Sequence, residues 1–342
     1  MQAMATAKQK AIAVPEAMDL TMVEAVNRAL ARAMTEDETV IVLGEDVGID
    51  GGVFRATDGL ISRFGANRVR DMPLSEALIG GLPVGLSAMG FRPVAEIQFM
   101  GFIYPVIDQI VNHASRMRTR TRGRLTCPMV IRAPYGGGIH APEHHSESME
   151  AMFAHIPGIR VVSPSSPAKA YGLLLSAIRD PDPVVFLEPK RADRAAKEEV
   201  VDDGGALPLD RCFVLLKGSD ITLVGWGAML GEVIEAADIL AGEGVEAEVI
   251  DVATLKPLDM DSILVSVKKT GRCVVVHEAP LTAGFGAEIA ARLAGEGLMH
   301  LVAPVERVAG WDTVMPLLRL ESRYMPSAAR IAAAARRALE FA

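Results

Sequence analysis

Short apolar runs alternate with longer amphipathic segments along most of the chain. The apolar runs are typical of buried strands, and apolar residues three or four positions apart are typical of helices. The predicted strands span residues 40–43, 93–98, 129–131, 160–162, 183–187, 221–224, 247–250 and 273–276. The predicted helices span residues 21–34, 104–118, 167–179, 230–242, 260–269 and 286–293. Elements that alternate in this way predict an α/β fold with parallel sheets covered by helices.

The alternation breaks after Glu188, where a charged and poorly periodic segment with a turn at residues 202–205 begins. We interpret residues 189–212 as a linker. It separates two α/β domains, residues 19–188 and residues 213–342. Residues 1–18 lack the apolar core of a signal peptide, and we interpret them as a disordered N-terminal extension.

Composition narrows the classes of function. The chain of 342 residues carries a formal net charge of −8, which argues against nucleic-acid binding. No run reaches the ~18 apolar residues that cross a bilayer, so no membrane contact is expected. The three cysteines, Cys127, Cys212 and Cys273, have neither disulfide-framework nor zinc spacing and indicate a reducing cytoplasm. Alternating arginines at residues 116–124 indicate a solvated or subunit-facing surface.

One carboxylate, Glu76, stands at the head of an apolar, glycine-rich segment that continues to Met89. Pro73 and Ser75 predict a turn followed by a helix start, which places Glu76 in the first helical turn. Glu76 is therefore either a capping residue or a buried group held for proton transfer. The apolar neighbours and the glycines at positions 80, 81 and 85 favour the second interpretation.

The loop of residues 135–148 follows a strand and carries three glycines and then three histidines. It is compatible with a polar surface loop. It is also compatible with a metal site, because His140, Glu143, His144 and His145 are ligand types, although the loop has no helical ligand spacing. A third alternative is a loop that presents one imidazole to a substrate as a proton donor.

Glu45, Glu76, Gln98 and His145 are predicted to lie on loops after successive strands. Ligands of doubly wound sheets bind at the carboxyl ends of strands, so one site can gather all four side chains. A stacking surface with an amide suits a flat heteroaromatic ring. No phosphate loop, no GxGxxG motif and no Gly-Asp-Gly followed by Asn-Asn is present. The chain thus has a ring-binding pocket in outline without a diphosphate or magnesium site.

The chain resembles the β subunits of the thiamine-dependent decarboxylating component of 2-oxoacid dehydrogenase complexes. The resemblance covers roughly residues 20–340. The matching segments are Gly44-Glu45-Asp46-Val47-Gly48, Gly51-Gly52-Val53-Phe54-Arg55, Pro73-Leu74-Ser75-Glu76, Glu96-Ile97-Gln98-Phe99, Asp108-Gln109-Ile110, His145-Ser146, Phe186-Leu187-Glu188-Pro189-Lys190 and Lys269-Thr270-Gly271-Arg272. It implies a transketolase-like pyrimidine-binding domain followed by a transketolase C-terminal-like domain.

The resemblance also implies the cofactor and the site residues. Glu76 is expected to hydrogen-bond the pyrimidine ring of thiamine diphosphate and to favour its imino tautomer. His145 is expected to serve acyl transfer to a lipoyl group. The residues expected to line the pyrimidine pocket are Glu45, Leu74, Gln98 and Phe102. Some relatives also hold a potassium ion on backbone groups, which here correspond to Met129, Val130, Ala177, Asp180 and Asp182.

The partners implied by the resemblance are an α subunit, which holds the diphosphate and magnesium, and a dihydrolipoyl acyltransferase core. The expected assembly is an α2β2 heterotetramer. The C-terminal domain is expected to pair β subunits and to dock the core, with acidic groups near Glu278, Glu288 and the Ala342 carboxylate. A scaffold subunit that only binds the core is the alternative without catalysis.

Two positions bear on the substrate and on departures from the family. Phe102, with Gly101 before it, favours a small 2-oxoacid, pyruvate, over branched-chain 2-oxoacids such as 3-methyl-2-oxobutanoate, whose enzymes often have Tyr there. Relatives often read Lys-Arg-x-Tyr-Arg where this chain has Lys190-Arg191-Ala192-Asp193-Arg194. The loss of the aromatic residue is expected to loosen the linker or to alter a subunit contact.

Overall fold

In the computed structural model, which describes residues 17–194 and 196–341, strands and helices alternate as the hydrophobic pattern predicts. The strands are β1 (Ala17–Leu20), β2 (Val40–Gly44), β3 (Val69–Asp71), β4 (Arg92–Glu96), β5 (Val130–Tyr135), β6 (Arg160–Val162), β7 (Val184–Pro189), β8 (Glu198–Val201), β9 (Phe213–Leu216), β10 (Ile221–Gly225), β11 (Ala247–Asp251), β12 (Thr254–Lys256), β13 (Cys273–Pro280) and β14 (Glu306–Gly310). The α-helices are α1 (Met22–Glu36), α2 (Leu60–Phe64), α3 (Glu76–Ala88), α4 (Met117–Arg120), α5 (Glu150–His155), α6 (Pro167–Arg179), α7 (Met229–Ala241), α8 (Met260–Thr270), α9 (Gly286–Glu296), α10 (Leu318–Tyr324) and α11 (Ala328–Glu340). Within these residues no helix has the length and apolar character needed to span a membrane.

The larger sheet, which we call the N-terminal sheet, has seven strands in the order β12-β6-β7-β5-β4-β2-β3. Strands β2 to β7 run parallel, and β12 joins β6 in the antiparallel direction at one edge. Parallel strands end at a common edge of their sheet. The loops after β2, β4, β5 and β7 therefore meet at the carboxyl edge, where α/β sheets bind ligands.

The smaller sheet, which we call the C-terminal sheet, has five strands in the order β14-β13-β10-β11-β9. All its pairings are parallel except that between β9 and β11. The two sheets are interlocked, because β12 leaves the C-terminal half of the chain and pairs with β6, with Thr254 opposite Val162. The predicted α/β class with parallel sheets is confirmed.

Helix α1 shows how local sequence positions a buried face. Thr21 caps the helix, and its side chain and the Glu24 side chain form the predicted capping box. The apolar positions of α1 are buried, and the helix packs against α6 on the N-terminal sheet. The capping box sets the start of the helix, and the apolar stripe sets the face that is buried.

The helix predicted at residues 104–118 is wrong. The segment instead forms short 3₁₀ turns, a π turn at Gln109–His113 and only then α4. Pro105 lacks a backbone N–H, and Val106 packs so closely on α3 that a Cβ at Gly80 would lie 2.3 Å from it. Packing against α3 overrides the helical periodicity of this segment.

Strand β1 pairs with β8 in the antiparallel direction, with Met18 opposite Val200. This ladder involves two residues of the predicted extension, Ala17 and Met18, and residues of the predicted linker. Backbone pairing orders both segments, and the buried Val200 side chain adds apolar contact. Residues 1–16 of the predicted extension lie outside the described residues.

A buried ionic triad links three central strands of the N-terminal sheet. Arg132 on β5 donates to Glu188 on β7 through two hydrogen bonds of 2.6 and 2.8 Å, and to Glu96 on β4 through one of 2.8 Å. Only 1% of the Arg132 surface is exposed. Bidentate geometry satisfies the guanidinium, because each buried charge faces a partner of opposite sign.

We predict that Arg132→Met destabilises the fold by about 3–5 kcal/mol, because it leaves two buried carboxylates without a cation. The matched control is Arg118→Met, which removes the exposed Arg118–Asp182 pair of 2.8 Å and should cost at most about 1 kcal/mol. Denaturant unfolding of both variants measures the difference. Equal losses would show that the triad contributes no more than a surface ion pair.

Candidate active site

The carboxyl edge of the N-terminal sheet brings together the side chains expected to act. Glu45 follows β2, Gln98 follows β4, His145 lies in the loop after β5, and Lys190 follows β7. The Gln98 Nε2 donates to the Asp46 carboxylate at 3.3 Å. The Glu45 Oε1 is buried, and none of the described residues donates a hydrogen bond to it. A buried acceptor of this kind requires a polar partner from outside.

Glu76 is the first residue of α3 and is half-buried, with Ile79, Gly80 and Pro83 buried behind it. It occupies the first position of the helix rather than the third, so it is not the acceptor of a capping box. Burial raises the pKa of Glu45, and the neighbouring charges of Glu76 and Asp46 raise it further. The carboxyl groups of Glu45 and Glu76 thus face the same space, where both can accept hydrogen bonds from a polar ring.

Aromatic rings line the other side of the space. The Phe99 ring centroid lies 5.8 Å from that of Phe102 and 4.5 Å from that of His145, and Phe102 lies 5.3 Å from His145. The Nδ1 of His145 is buried without a partner among the described residues. The Lys190 ammonium donates to the His145 carbonyl and lies 5.4 Å from the Phe99 ring centroid. Burial lowers the pKa of Lys190 to about 8.

Leu74 is the one predicted pocket residue that the chain leaves open, with 84% of its surface exposed. Ile49, Val53 and Leu78 are exposed as well. A pocket wall so exposed is incomplete in a single chain, and an apolar rim of this kind is typical of a surface that another subunit covers. Leu74 thus remains exposed at the surface, whereas the other predicted residues are partly buried: Glu45, Glu76, Gln98 and Phe102.

The three loop histidines have different partners. His140 hydrogen-bonds Glu321 at 2.7 Å, His144 stacks on Tyr104 at 6.1 Å, and His145 lies against Phe99. Within residues 17–194 and 196–341, no three His, Cys, Asp or Glu side chains converge as metal ligands. The arrangement favours the presentation of one imidazole, that of His145, over the metal alternative.

Several backbone carbonyls in and beside the segments that we expect to hold potassium accept hydrogen bonds. The Arg92 guanidinium donates to the carbonyls of Ile178 and Asp180 at 2.9 and 3.2 Å. The carbonyl of Met129 accepts the Val184 N–H within the sheet. A guanidinium thus lies at the Asp180 carbonyl, while potassium at the backbone of Met129, Val130, Ala177, Asp180 and Asp182 stays a prediction.

Several residues of functional interest were not predicted from the sequence or were predicted to lie elsewhere. Glu278 is not a surface docking group, because it is only 5% exposed and accepts the Gly137 N–H. Ala342 lies outside the described residues. Glu321 and Lys190 were not assigned roles. Lys190 follows Glu188 at the end of a strand, which is the signal that could have identified it.

Asp193 stands where relatives often have an aromatic residue, and it is buried. Neither of its carboxylate oxygens has a hydrogen-bond partner among the described residues. Burial raises the pKa of Asp193 to about 8, and the charge of Glu188 adds to the effect against the opposing charges of Arg132 and Lys190. The side chain is therefore neutral at pH 7, beside the ionic triad.

The chain is similar to known proteins along most of its length. The family model of the transketolase pyrimidine binding domain matches residues 18–194, and that of the transketolase C-terminal domain matches residues 211–331. The pyruvate dehydrogenase E1 component subunit beta of Bacillus subtilis (strain 168) is 48% identical over 322 residues, covering 94% of this chain and 99% of the relative. The protein of that name from Acholeplasma laidlawii is 48% identical over 314 residues, covering 92% and 96%.

Solved structures share the fold. A split gene transketolase, an inactive beta4 tetramer, has a TM-score of 0.79 at 25% identity and covers 95% of this chain and 99% of its own. A transketolase mutant from Pichia stipitis has a TM-score of 0.70 at 13% identity and covers 95% of this chain and 46% of its own. At that identity the second likeness concerns the fold alone.

We predict that Asp193→Asn raises the thermal midpoint, and more so at about pH 8.5 than at about pH 5.5. The folded pKa lies above the unfolded value near 4, so the stability contributed by the protonated group is complete below about pH 4 and is lost as the pH rises towards 8. Asparagine stays neutral throughout and avoids this loss. A midpoint difference that is the same at both pH values would contradict the assignment.

Proposed function

The chain belongs to the family of pyruvate dehydrogenase E1 component β subunits, and we propose that with an α subunit it catalyses thiamine diphosphate-dependent decarboxylation of pyruvate and acyl transfer to a lipoyl group. The observation that carries the proposal is the pair Glu45 and Glu76 at the carboxyl edge of the N-terminal sheet. The buried Oε1 of Glu45 has no partner among the described residues, and Glu76 faces the same space. These two hydrogen-bond acceptors fit the polar edge of an aminopyrimidine.

When bound, thiamine diphosphate supplies the electron sink for decarboxylation of a 2-oxoacid. In our proposal, Glu76 holds a proton at the pyrimidine ring nitrogen. Glu45 accepts a hydrogen bond from the ring. Gln98 orients the ring edge, and the Phe102 ring excludes water from one wall of the pocket.

His145 is the proposed donor and acceptor of the proton in acyl transfer. Its imidazole lies between Phe99 and Phe102, and its Nδ1 is free of partners among the described residues. The Lys190 ammonium holds the His145 backbone through the carbonyl. A fixed backbone and a free ring nitrogen suit a group that exchanges a proton with a substrate that arrives from outside.

The α subunit is proposed to supply the diphosphate and magnesium site, in an α2β2 heterotetramer. This chain contains no Gly-Asp-Gly motif followed by Asn-Asn. Its pocket is open at Leu74 and Leu78, which offers a partner subunit an apolar rim beside Glu76. An acyltransferase core is the proposed second partner, with Glu288 on α9 as an exposed acidic group for docking. The three cysteines are free, as expected of a cytoplasmic enzyme.

Pyruvate is the proposed substrate, and the branched-chain alternative is not better supported. We expect the reconstituted α/β pair to prefer pyruvate over 3-methyl-2-oxobutanoate by at least about tenfold in kcat/KM, since Phe102 stands where branched-chain enzymes often have Tyr and added methyl groups change pocket contacts by about this factor. Steady-state assays with both substrates measure the ratio. A ratio that favours the branched substrate would assign the chain to the other substrate class.

We predict that Glu76→Gln keeps the assembly with the α subunit and lowers decarboxylation by about 10²–10⁴-fold. Glutamine keeps the shape of the side chain and cannot take or release the proton. The rate is measured with an artificial electron acceptor, and assembly by gel filtration. The control is Glu143→Gln, which alters an exposed carboxylate in the loop after β5. An active Glu76→Gln enzyme would remove Glu76 from the reaction.

A further inference from the structure

The histidine loop, residues 136–148, is held in place from the other half of the chain. It leaves β5 and reaches His145 through three glycines, and its ends are tied by the Gly136 N–H, which donates to the Glu147 carbonyl at 2.8 Å. Between these ends the N–H groups of Gly137, Gly138 and His140 point towards the C-terminal half. They meet two buried carboxylates there, one on β13 and one on α10.

Glu278 on β13 accepts the first group of contacts. The Gly137 N–H donates to its Oε1, and the Ser148 hydroxyl donates to the same oxygen at 3.2 Å. One carboxylate oxygen thus ties the first part of the loop to its last residue. Burial raises the pKa of Glu278, and the Gly137 N–H and Lys190 oppose that shift because they favour the charged form.

Glu321 on α10 accepts the second group of contacts. The Gly138 N–H donates to its Oε1, and the His140 backbone N–H donates to its Oε2 at 3.1 Å. The His140 Nδ1 lies 2.7 Å from the same Oε2. Only 2% of the Glu321 surface is exposed, and these groups of the loop are the hydrogen-bond donors to its carboxylate. Both oxygens of the carboxylate are used as acceptors.

The glycines are needed for this approach. A Cβ at Gly136 would lie 2.8 Å from the Glu278 carboxylate, and a Cβ at Gly138 would lie 2.7 Å from Arg191. Both residues have positive φ, 83° and 81°, as has His140 at 61°. Successive N–H groups in such a conformation form an anion-binding nest. Here the anions are carboxylates of the same chain rather than phosphates.

We propose that Glu278 and Glu321 are positioning residues that hold the histidine loop by its N–H groups and so place the His145 imidazole for acyl transfer. The inference rests on the proposed role of His145. Neither carboxylate touches the reacting atoms in this arrangement, since each acts through the loop. The Lys190 ammonium completes the support, because it holds the His145 carbonyl from the end of the neighbouring strand β7.

The test uses Glu321→Gln in the enzyme reconstituted with the α subunit. Glutamine keeps one acceptor oxygen and turns the other into an N–H₂ group that faces an N–H donor of the loop. The control is Glu235→Gln on α7, an exposed carboxylate of the same half of the chain. Two quantities are measured: hydrogen exchange of the 136–148 amides, and the ratio of lipoyl acylation to decarboxylation with an artificial acceptor.

We expect Glu321→Gln to speed exchange of the loop amides by about tenfold or more, which is the order expected for a lost hydrogen bond to a charged group. Acylation should fall by a similar factor relative to decarboxylation, while strand amides and the control are unchanged. His140→Ala removes only the exposed imidazole from the same carboxylate and should give a smaller change in the same direction. His140→Ala replaces Glu321→Gln as the test if the Glu321→Gln protein fails to fold.

His145→Ala, measured in parallel, separates this inference from the proposed function. If His145→Ala leaves the ratio of the two rates unchanged, the proposed role of His145 fails, while faster loop exchange in Glu321→Gln still supports the holding of the loop. If His145→Ala lowers the ratio and Glu321→Gln changes neither the ratio nor the loop exchange, the positioning role of the carboxylates is overturned.

Discussion

The buried pairing of Arg132 with Glu96 and Glu188 is the interaction on which the arrangement of the site depends. It joins Glu96 at the end of β4 and Glu188 near the end of β7 to Arg132 in the middle of β5, and these strands lead to Gln98, Lys190 and the histidine loop. Because the charges are desolvated, loss of Arg132 leaves both carboxylates without a cation inside the protein. The triad therefore fixes the positions of the strands from which the loops of the site begin.

Burial sets the charge state of two groups near the triad. It raises the pKa of Asp193 to about 8, so this carboxyl group is mostly protonated at pH 7, and it lowers the pKa of Lys190 to about 8. The carboxyl groups of the ring pocket, Glu45 and Glu76, lie on the far side of the β4 end. The acid–base groups expected to act are thereby separated from those that hold the strands.

The sequence predicted what depends on neighbours in the chain. The capping box at Thr21, the bounds of α6 and the buried strands follow from local patterns, and the strand ends that carry Glu45, Gln98 and His145 follow from the α/β alternation. The irregular segment after Tyr104 was missed because Val106 packs on α3, a contact no local pattern records. The triad and the contact of Glu278 with the histidine loop were missed for the same reason, since their members are far apart in the chain and burial of a single glutamate leaves no periodic signal.

The central claim is that this chain supplies only the pyrimidine half of a shared thiamine diphosphate site. Calorimetric titration of thiamine diphosphate with magnesium into the chain alone, and into the chain mixed with its α subunit, tests it most directly. The account predicts that the mixture binds with about micromolar or tighter affinity and that the chain alone shows no binding up to about millimolar cofactor. Micromolar binding by the chain alone would contradict it, because the chain would then hold a complete site.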